Sequence, residues 1–218
     1  MLLTMIVAAM AVRQDTAVWT LSPTFDPKAP KEVWETLVDA QAPDGKHHAT
    51  FNLTRATKST ANGKAVVSYS WEKLTVDDHD GDAIDPWDAV VGPRGQIQKM
   101  VEAEDSFRRM LSPMIFIYPE KPVTVGDKWS VDVIPADKTR KITYEYEAKG
   151  KETVGDTPTI IVDVKLTEGG ADGIAGHGSW WLSKVGKVVK FEMMLNNWVV
   201  PMAGNDAITD VIIRGKAR

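Results

Sequence analysis

Four histidines, thirty acidic residues and no cysteine bound the chemistry open to this chain. His177 is the most suggestive histidine, because Gly176 and Gly178 flank it and Ser179 follows. Flanking glycines allow a ligand to approach the backbone closely, and they equally mark a bulge or a bent strand. His177 is therefore a weak catalytic candidate, since spacing assigns it neither a partner acid nor a nucleophile. His47 and His48 are adjacent, and neighbours on a strand point to opposite faces, so they do not grip one metal together. The acidic run from Asp77 to Asp85 offers Asp78, Asp80 and Asp82 as oxygen ligands for a hard cation. With Asp78 first, however, Ala83 stands where the sharp-turn glycine belongs and Ala89 where a bidentate glutamate belongs. A solvated acidic turn is the preferred reading, and no metal is expected.

Other chemical signatures are missing. The chain has no G-x-S-x-G, no phosphate-binding G-x-x-x-x-G-K-[ST] and no H-E-x-x-H. Without cysteine there are no disulfides, no thiolate metal sites, no cysteine nucleophile and no acylated lipoprotein cysteine. Carboxylates are too many for spacing to single out a catalytic pair. Asn52-Leu53-Thr54 matches a glycosylation sequon but falls within an expected strand. No cofactor is expected.

What the residues do specify is a surface. Trp129, Val131 and Val133, then Ile142, Tyr144 and Tyr146, then Ile160, Val162, Val164 and Leu166, then Val189, Phe191, Met193 and Leu195 alternate with polar residues. Period-two alternation requires a sheet with one buried and one wet face. Trp129, Tyr144, Tyr146, Phe191 and Met193 are thereby candidates to line a site for an apolar ligand. Trp180-Trp181 places one indole on each face. Asn62-Gly63 predicts a tight hairpin turn between Ala49, Phe51 and Leu53 and the return strand of Ala65, Val67, Tyr69 and Trp71. Residues 31–41 read equally as helix or strand. Ile97, Met100, Val101, Phe107, Met110 and Leu111 form one helical stripe, which predicts a helix over 96–111 ending at Ser112-Pro113.

These elements predict a mainly β (α+β) fold: a curved antiparallel meander sheet or half-barrel with one amphipathic helix packed across its apolar face. Residues 12–218 read as a single β-rich domain, divisible into halves at 12–92 and 93–218. The first 11 residues, with an apolar run from Leu2 to Met10 and the small-x-small ending Ala9-Met10-Ala11, resemble a secretory signal without its basic start. Export to the periplasm or outside the cell is the expectation that follows. No run approaches the roughly 20 apolar residues of a membrane span. A formal charge of −4 with scattered Lys and Arg offers no stripe for nucleic acid.

Pro119-x-x-Pro122-Val123-x-Val125-Gly126-Asp127-x-Trp129, the Gly176-x-Gly178-x-x-Trp181-Leu182 strand and Gly186-Lys187-Val188-Val189-Lys190 resemble uncharacterised exported bacterial proteins of a domain-of-unknown-function type, over residues 115–214. The resemblance implies export and supplies no catalytic residues. The sheet-plus-helix plan is also similar to periplasmic lipoprotein and lipid carriers. The expectation is a non-enzymatic exported protein of the cell envelope that binds an apolar small molecule, a lipid or an envelope protein. A hydrolase of envelope material using His177 or an acidic cluster, and a purely structural or interaction module, are the alternatives.

Overall fold

A computed structural model describes residues 17–42, 45–81, 85–134, 140–200 and 207–218. The strands are β1 (Glu32–Ala42), β2 (Gly45–Ala61), β3 (Lys64–Val76), the two-residue β4 (His79–Asp80), β5 (Trp87–Val91) and β6 (Ile97–Val101). Helix α1 (Asp105–Leu111) and a 3-10 turn (Ser112–Met114) follow, then β7 (Lys128–Val133), β8 (Ile142–Val154), β9 (Thr157–Glu168), β10 (Ala175–Ser183), β11 (Val188–Val200) and β12 (Ala207–Ala217). All belong to one sheet in the order β6-β5-β3-β2-β1-β12-β11-β10-β9-β8-β7, with β4 beside β3. Every pairing is antiparallel, as short connections between sequential strands require. The result is a nearly closed, barrel-like meander in which β12 returns to β1.

Local chemistry explains the strands. Asn62 at φ 51° and Gly63 at φ 72° form the turn of the β2–β3 hairpin, the conformation that matches strand twist. Residues 31–41, ambiguous in sequence, form strand β1 from Glu32 onward, held between β2 and β12. On the inner face Ala65, Val67, Tyr69 and Trp71 are buried, as are Ile160, Val162, Val164 and Leu166. In β11 the buried residue is Val188 rather than the expected Val189, because a register shift between Trp181 and Leu182 moves the alternation by one. The outer face carries cross-strand ion pairs, including Lys128–Glu147 at 3.4 Å and Lys165–Glu145 at 3.8 Å. A membrane barrel presents its apolar side outward, and the sidedness here is the reverse. No helix among the described residues is long and apolar enough to cross a membrane.

The helix expected over 96–111 forms only over Asp105–Leu111. Its first part is strand β6, paired with β5 around the Pro93-Arg94-Gly95 turn, where Gly95 adopts φ 91° and the Gly92 N–H donates to Gln96 O at 2.9 Å. The physical reason is periodicity: Ile97 and Val101, four apart, share a face in both a strand and a helix. Phe107, Met110 and Leu111 keep the helical spacing and pack into the core.

Beyond the helix, residues 112–118 cross the inside of the sheet as a strap that belongs to no strand, a 3-10 turn over Ser112–Met114 followed by an extended stretch from Ile115. Met114, Ile115, Phe116, Ile117 and Tyr118 are all buried. The Phe116 ring lies 5.3 Å from Tyr146, 5.7 Å from Trp180 and 5.0 Å from Tyr118, centroid to centroid. A buried extended segment must find partners for its backbone. The Ile117 N–H donates to Tyr146 Oη at 3.3 Å and the Tyr118 N–H to Arg94 O at 2.8 Å. Arg94 Nε donates to Tyr118 O at 2.6 Å and Tyr144 Oη to Ser112 O at 3.2 Å. Gly95 is required beside the strap, since a Cβ there would stand 2.9 Å from Phe116 O. Trp19 seals one end through a two-way bridge with Val123, at 2.8 and 2.9 Å.

Phe116→Ala should cost about 3–5 kcal/mol in urea unfolding, the range for emptying a packed aromatic site. Val185→Ala, at a side chain 72% exposed, should stay within about 0.5 kcal/mol. Equal effects at the two positions would contradict an interior strap.

Candidate binding surface

The five residues proposed to line an apolar site lie together on the inner face, and the chain's own strap occupies the space before them. Trp129 stacks on Tyr146 at 5.1 Å, Tyr144 and Tyr146 turn their hydroxyls to the strap, and Phe191 stacks on Trp180 at 4.9 Å. Met193 is buried in the same core. Burial pushes the Tyr144 and Tyr146 hydroxyls above the ordinary phenol range, so both remain protonated near neutrality. Between strap and sheet lies a cavity of about 20 Å³, lined by Trp34, Arg55, Tyr69, Ile115, Phe116 and Trp180 among others. That is room for about one water.

The inside also holds charges. Arg55 Nη2 meets Glu32 Oε2 at 2.5 Å. Burial works to lower the Arg55 pKa, and the Glu32 carboxylate with neighbouring tyrosines holds it above its usual value. Near α1, Arg109 grips the buried Glu168 with Nη2 to Oε2 at 2.7 Å and Nε to both oxygens at 3.0 Å. The Ile174 N–H donates to the same carboxylate at 3.1 Å, and Arg109 Nη2 donates to Asp172 O at 3.0 Å. Arg140 holds Asp172 from outside, and its hydrogen bond keeps the Asp172 carboxyl below the usual range. This network ties α1 to the loop after β9.

His177 sits exposed on the outer face of β10 between Lys165 and Met194, with no hydrogen-bond or ion-pair partner among the described residues. Ser179, two residues on, donates to Asp163 Oδ1 at 2.7 Å instead of facing a base. Asp78 and Asp80 are exposed at the β3–β4 turn, Asp82 lies outside the described residues, and no group of three metal-ligating side chains occurs among those described. Residues 1–11 also lie outside them. Trp181 is the outward indole of its pair, donating to Glu152 Oε2 at 2.6 Å beneath the Lys190 ammonium at 4.0 Å.

Open volume lies on the outside. Two clefts adjoin on the outer face of β2, β1, β12 and β11, of about 550 and 520 Å³. The first is lined by Asp39, His47, His48, Asp77, Met194, Asp210 and Ile212 among others. His48 Nδ1 bonds Asp39 at 2.9 Å and His47 Nδ1 bonds Asp77 at 2.7 Å, and these bonds hold both carboxyls below their usual range. The two histidines serve different carboxylates on different faces, as their adjacency predicts. The second cleft is basic, with Lys73, Lys190, Arg214, Lys216 and Arg218 around Leu37, Thr50 and Asn52. Arg214 divides the clefts, reaching Asp39 at 2.8 Å and Glu192 at 3.4 Å. From Glu35 to Gln41 along β1 the combined furrow runs about 20 Å, at about 3.3 Å per residue.

The fold and these clefts define a nearly closed, barrel-like antiparallel sheet with a buried strap inside and grooves on its outer face. No protein-family model matches the chain, and no curated protein matches it. Among solved structures, a protein from Bacteroides fragilis described as a candidate exported protein with a YmcC-like fold is similar over 93% of this chain and 100% of that one. Its identity is 13% and its TM-score 0.40, too loose a likeness to carry an argument here.

Sequence reasoning missed the strap, the buried ion pairs and the outer basic cleft. Arg108-Arg109 inside an otherwise apolar helical stripe was the available signal for the pairs. The Arg109–Glu168 pair is testable by charge removal. Arg109→Met should cost about 3–5 kcal/mol by leaving a buried carboxylate unpaired. Arg109→Met with Glu168→Gln should cost less than Arg109→Met alone in thermal unfolding, because the amide still accepts from Ile174 without carrying charge. A double variant as unstable as the sum of its singles would contradict the pairing.

Proposed function

We propose that this chain is an exported, non-enzymatic β-rich module that binds a protein partner on the outer face of β2, β1, β12 and β11. The observation that carries the reading is that Ile115, Phe116, Ile117 and Tyr118 pack against the aromatic inner face, with a cavity of about 20 Å³ beside Phe116, while the outer face carries clefts of about 550, 520 and 600 Å³. An apolar ligand on the inner face would have to displace residues 112–118 together with the tyrosine and arginine bonds that satisfy them. The outer clefts have partly apolar floors at Leu37, Ile212 and Met194 under charged rims, the anatomy of a protein interface. The export part of the reading rests on the apolar run from Leu2 to Met10 and its small-x-small ending. A hydrolase reading is less well supported, because His177 lacks the acid and nucleophile that such chemistry needs.

Titration with a fluorescent fatty acid, with mass spectrometry of organic extracts from natively purified protein, tests the reading. The expected result is no saturable uptake and no stoichiometric lipid. Stoichiometric uptake of the fatty acid would restore the carrier reading and overturn this one.

A further inference from the structure

The geometry points to the basic cleft as the seat of an acidic, extended segment of a partner protein, an inference that rests on the surface-module reading above. Lys73, Lys190, Arg214, Lys216 and Arg218 line this cleft, and Glu35 is the acid among them, bonded by Arg218. The chain as a whole carries −4, so this concentration of positive charge runs against its overall sign. Arg214 is engaged by Asp39 and Glu192, whereas Lys73, Lys190 and Lys216 have no carboxylate within ion-pair distance among the described residues. Such unneutralised cations mark a surface complementary to an anion.

Their spacing selects the kind of anion. Asn52, Glu35, Lys216 and Lys190 are successive cross-strand neighbours on β2, β1, β12 and β11, and Lys73 stands beyond them on β3. Four strand spacings of about 4.8 Å separate β3 from β11, so the cations span about 19 Å. One phosphate or carboxylate cannot bridge that distance, while an extended peptide of about six residues does.

Backbone conformation adds an independent sign. Thr50 pairs with Thr75 and Asn52 with Glu72, so Phe51 alone faces both Lys73 and Leu74. At this bulge Lys73 adopts φ 57°, a left-handed conformation that non-glycine residues rarely take. Bulges re-aim side chains, and this one places an exposed ammonium on the cleft rim.

Glu35, Glu72 and Glu192 lie on the same face, paired to Arg218, Lys31 and Arg214, and break up the lysines so that the free positive charge is not the continuous stripe that suits a nucleic acid or an anionic bilayer. A peptide with alternating carboxylates sets its acids against the lysines and an apolar side chain over the half-buried Leu37.

The test is fluorescence anisotropy of the full chain with fluorescein-labelled Glu-Leu-Glu-Leu-Glu-Leu. Saturable binding is expected, weakened at least about tenfold in Lys73→Glu/Lys216→Glu and weakened by added salt. Lys165→Glu, at an outer-face lysine away from the cleft, should leave it unchanged, and thermal unfolding should show both variants folded. Absence of saturable binding, or equal binding by the folded double variant, would overturn the inference. So would co-sedimentation with phosphatidylglycerol vesicles that the double variant loses, since that makes a membrane the occupant. These failures leave the surface-module reading standing, whereas saturable uptake of the fluorescent fatty acid removes both.

Discussion

An extended segment without strand partners runs through the middle of this protein, and its burial is the constraint on which the rest depends. Residues 112–118 bring five consecutive large apolar side chains to the inner face of the sheet. Their backbone groups enter with them, and buried amides without partners cost enough to unfold a marginal domain. The cost is offset from the walls by Tyr144, Tyr146 and the Arg94 main chain and guanidinium. Trp198 adds a bond from its indole to Met110 O at 2.9 Å, fixing the helix end from which the strap starts. Tyr118 Oη reaches Gly186 O at 2.8 Å and secures the other end against the β10–β11 turn.

This filling sets how much of the inner face is left uncovered. The inner face, which has the aromatic density of a ligand site, is consumed by the fold itself. The sheet's second face remains, and there the side chains are charged, paired across strands and exposed to water. Most of the ion pairs on it are solvated and add little stability each. Their arrangement still matters, because Arg214 splits the furrow over β1 and β12 into a carboxylate-and-histidine half and a lysine-rich half. The buried Arg109–Glu168 pair and the partly buried Arg55–Glu32 pair lie toward the interior and stand apart from that surface.

Much of the fold was legible in the residues. Alternation in β8 and β9 identified the inner face correctly, and Asn62-Gly63 located its hairpin, because period two and left-handed turn residues are local properties. The helix boundary was not legible: Ile97 and Val101 satisfy both periods, and only pairing with β5 decides between them. Val188 replaced Val189 for a similar reason, since a register shift is set by the partner strand. The aromatic face was read correctly as apolar, whereas the strap packed against it was not legible, because Ile115, Phe116 and Ile117 form too short a run to show any period. The outer basic cleft draws Lys73, Lys190 and Lys216 from three strands far apart in sequence, so no local pattern announces it.

The most direct test of the central claim is a nuclear Overhauser measurement on protein with selectively labelled aromatic rings. A strap packed inside the sheet predicts cross-peaks from the Phe116 ring to the rings of both Tyr146 and Trp180. A Phe116 ring without those cross-peaks, and broadened by a soluble paramagnetic probe, would contradict the account.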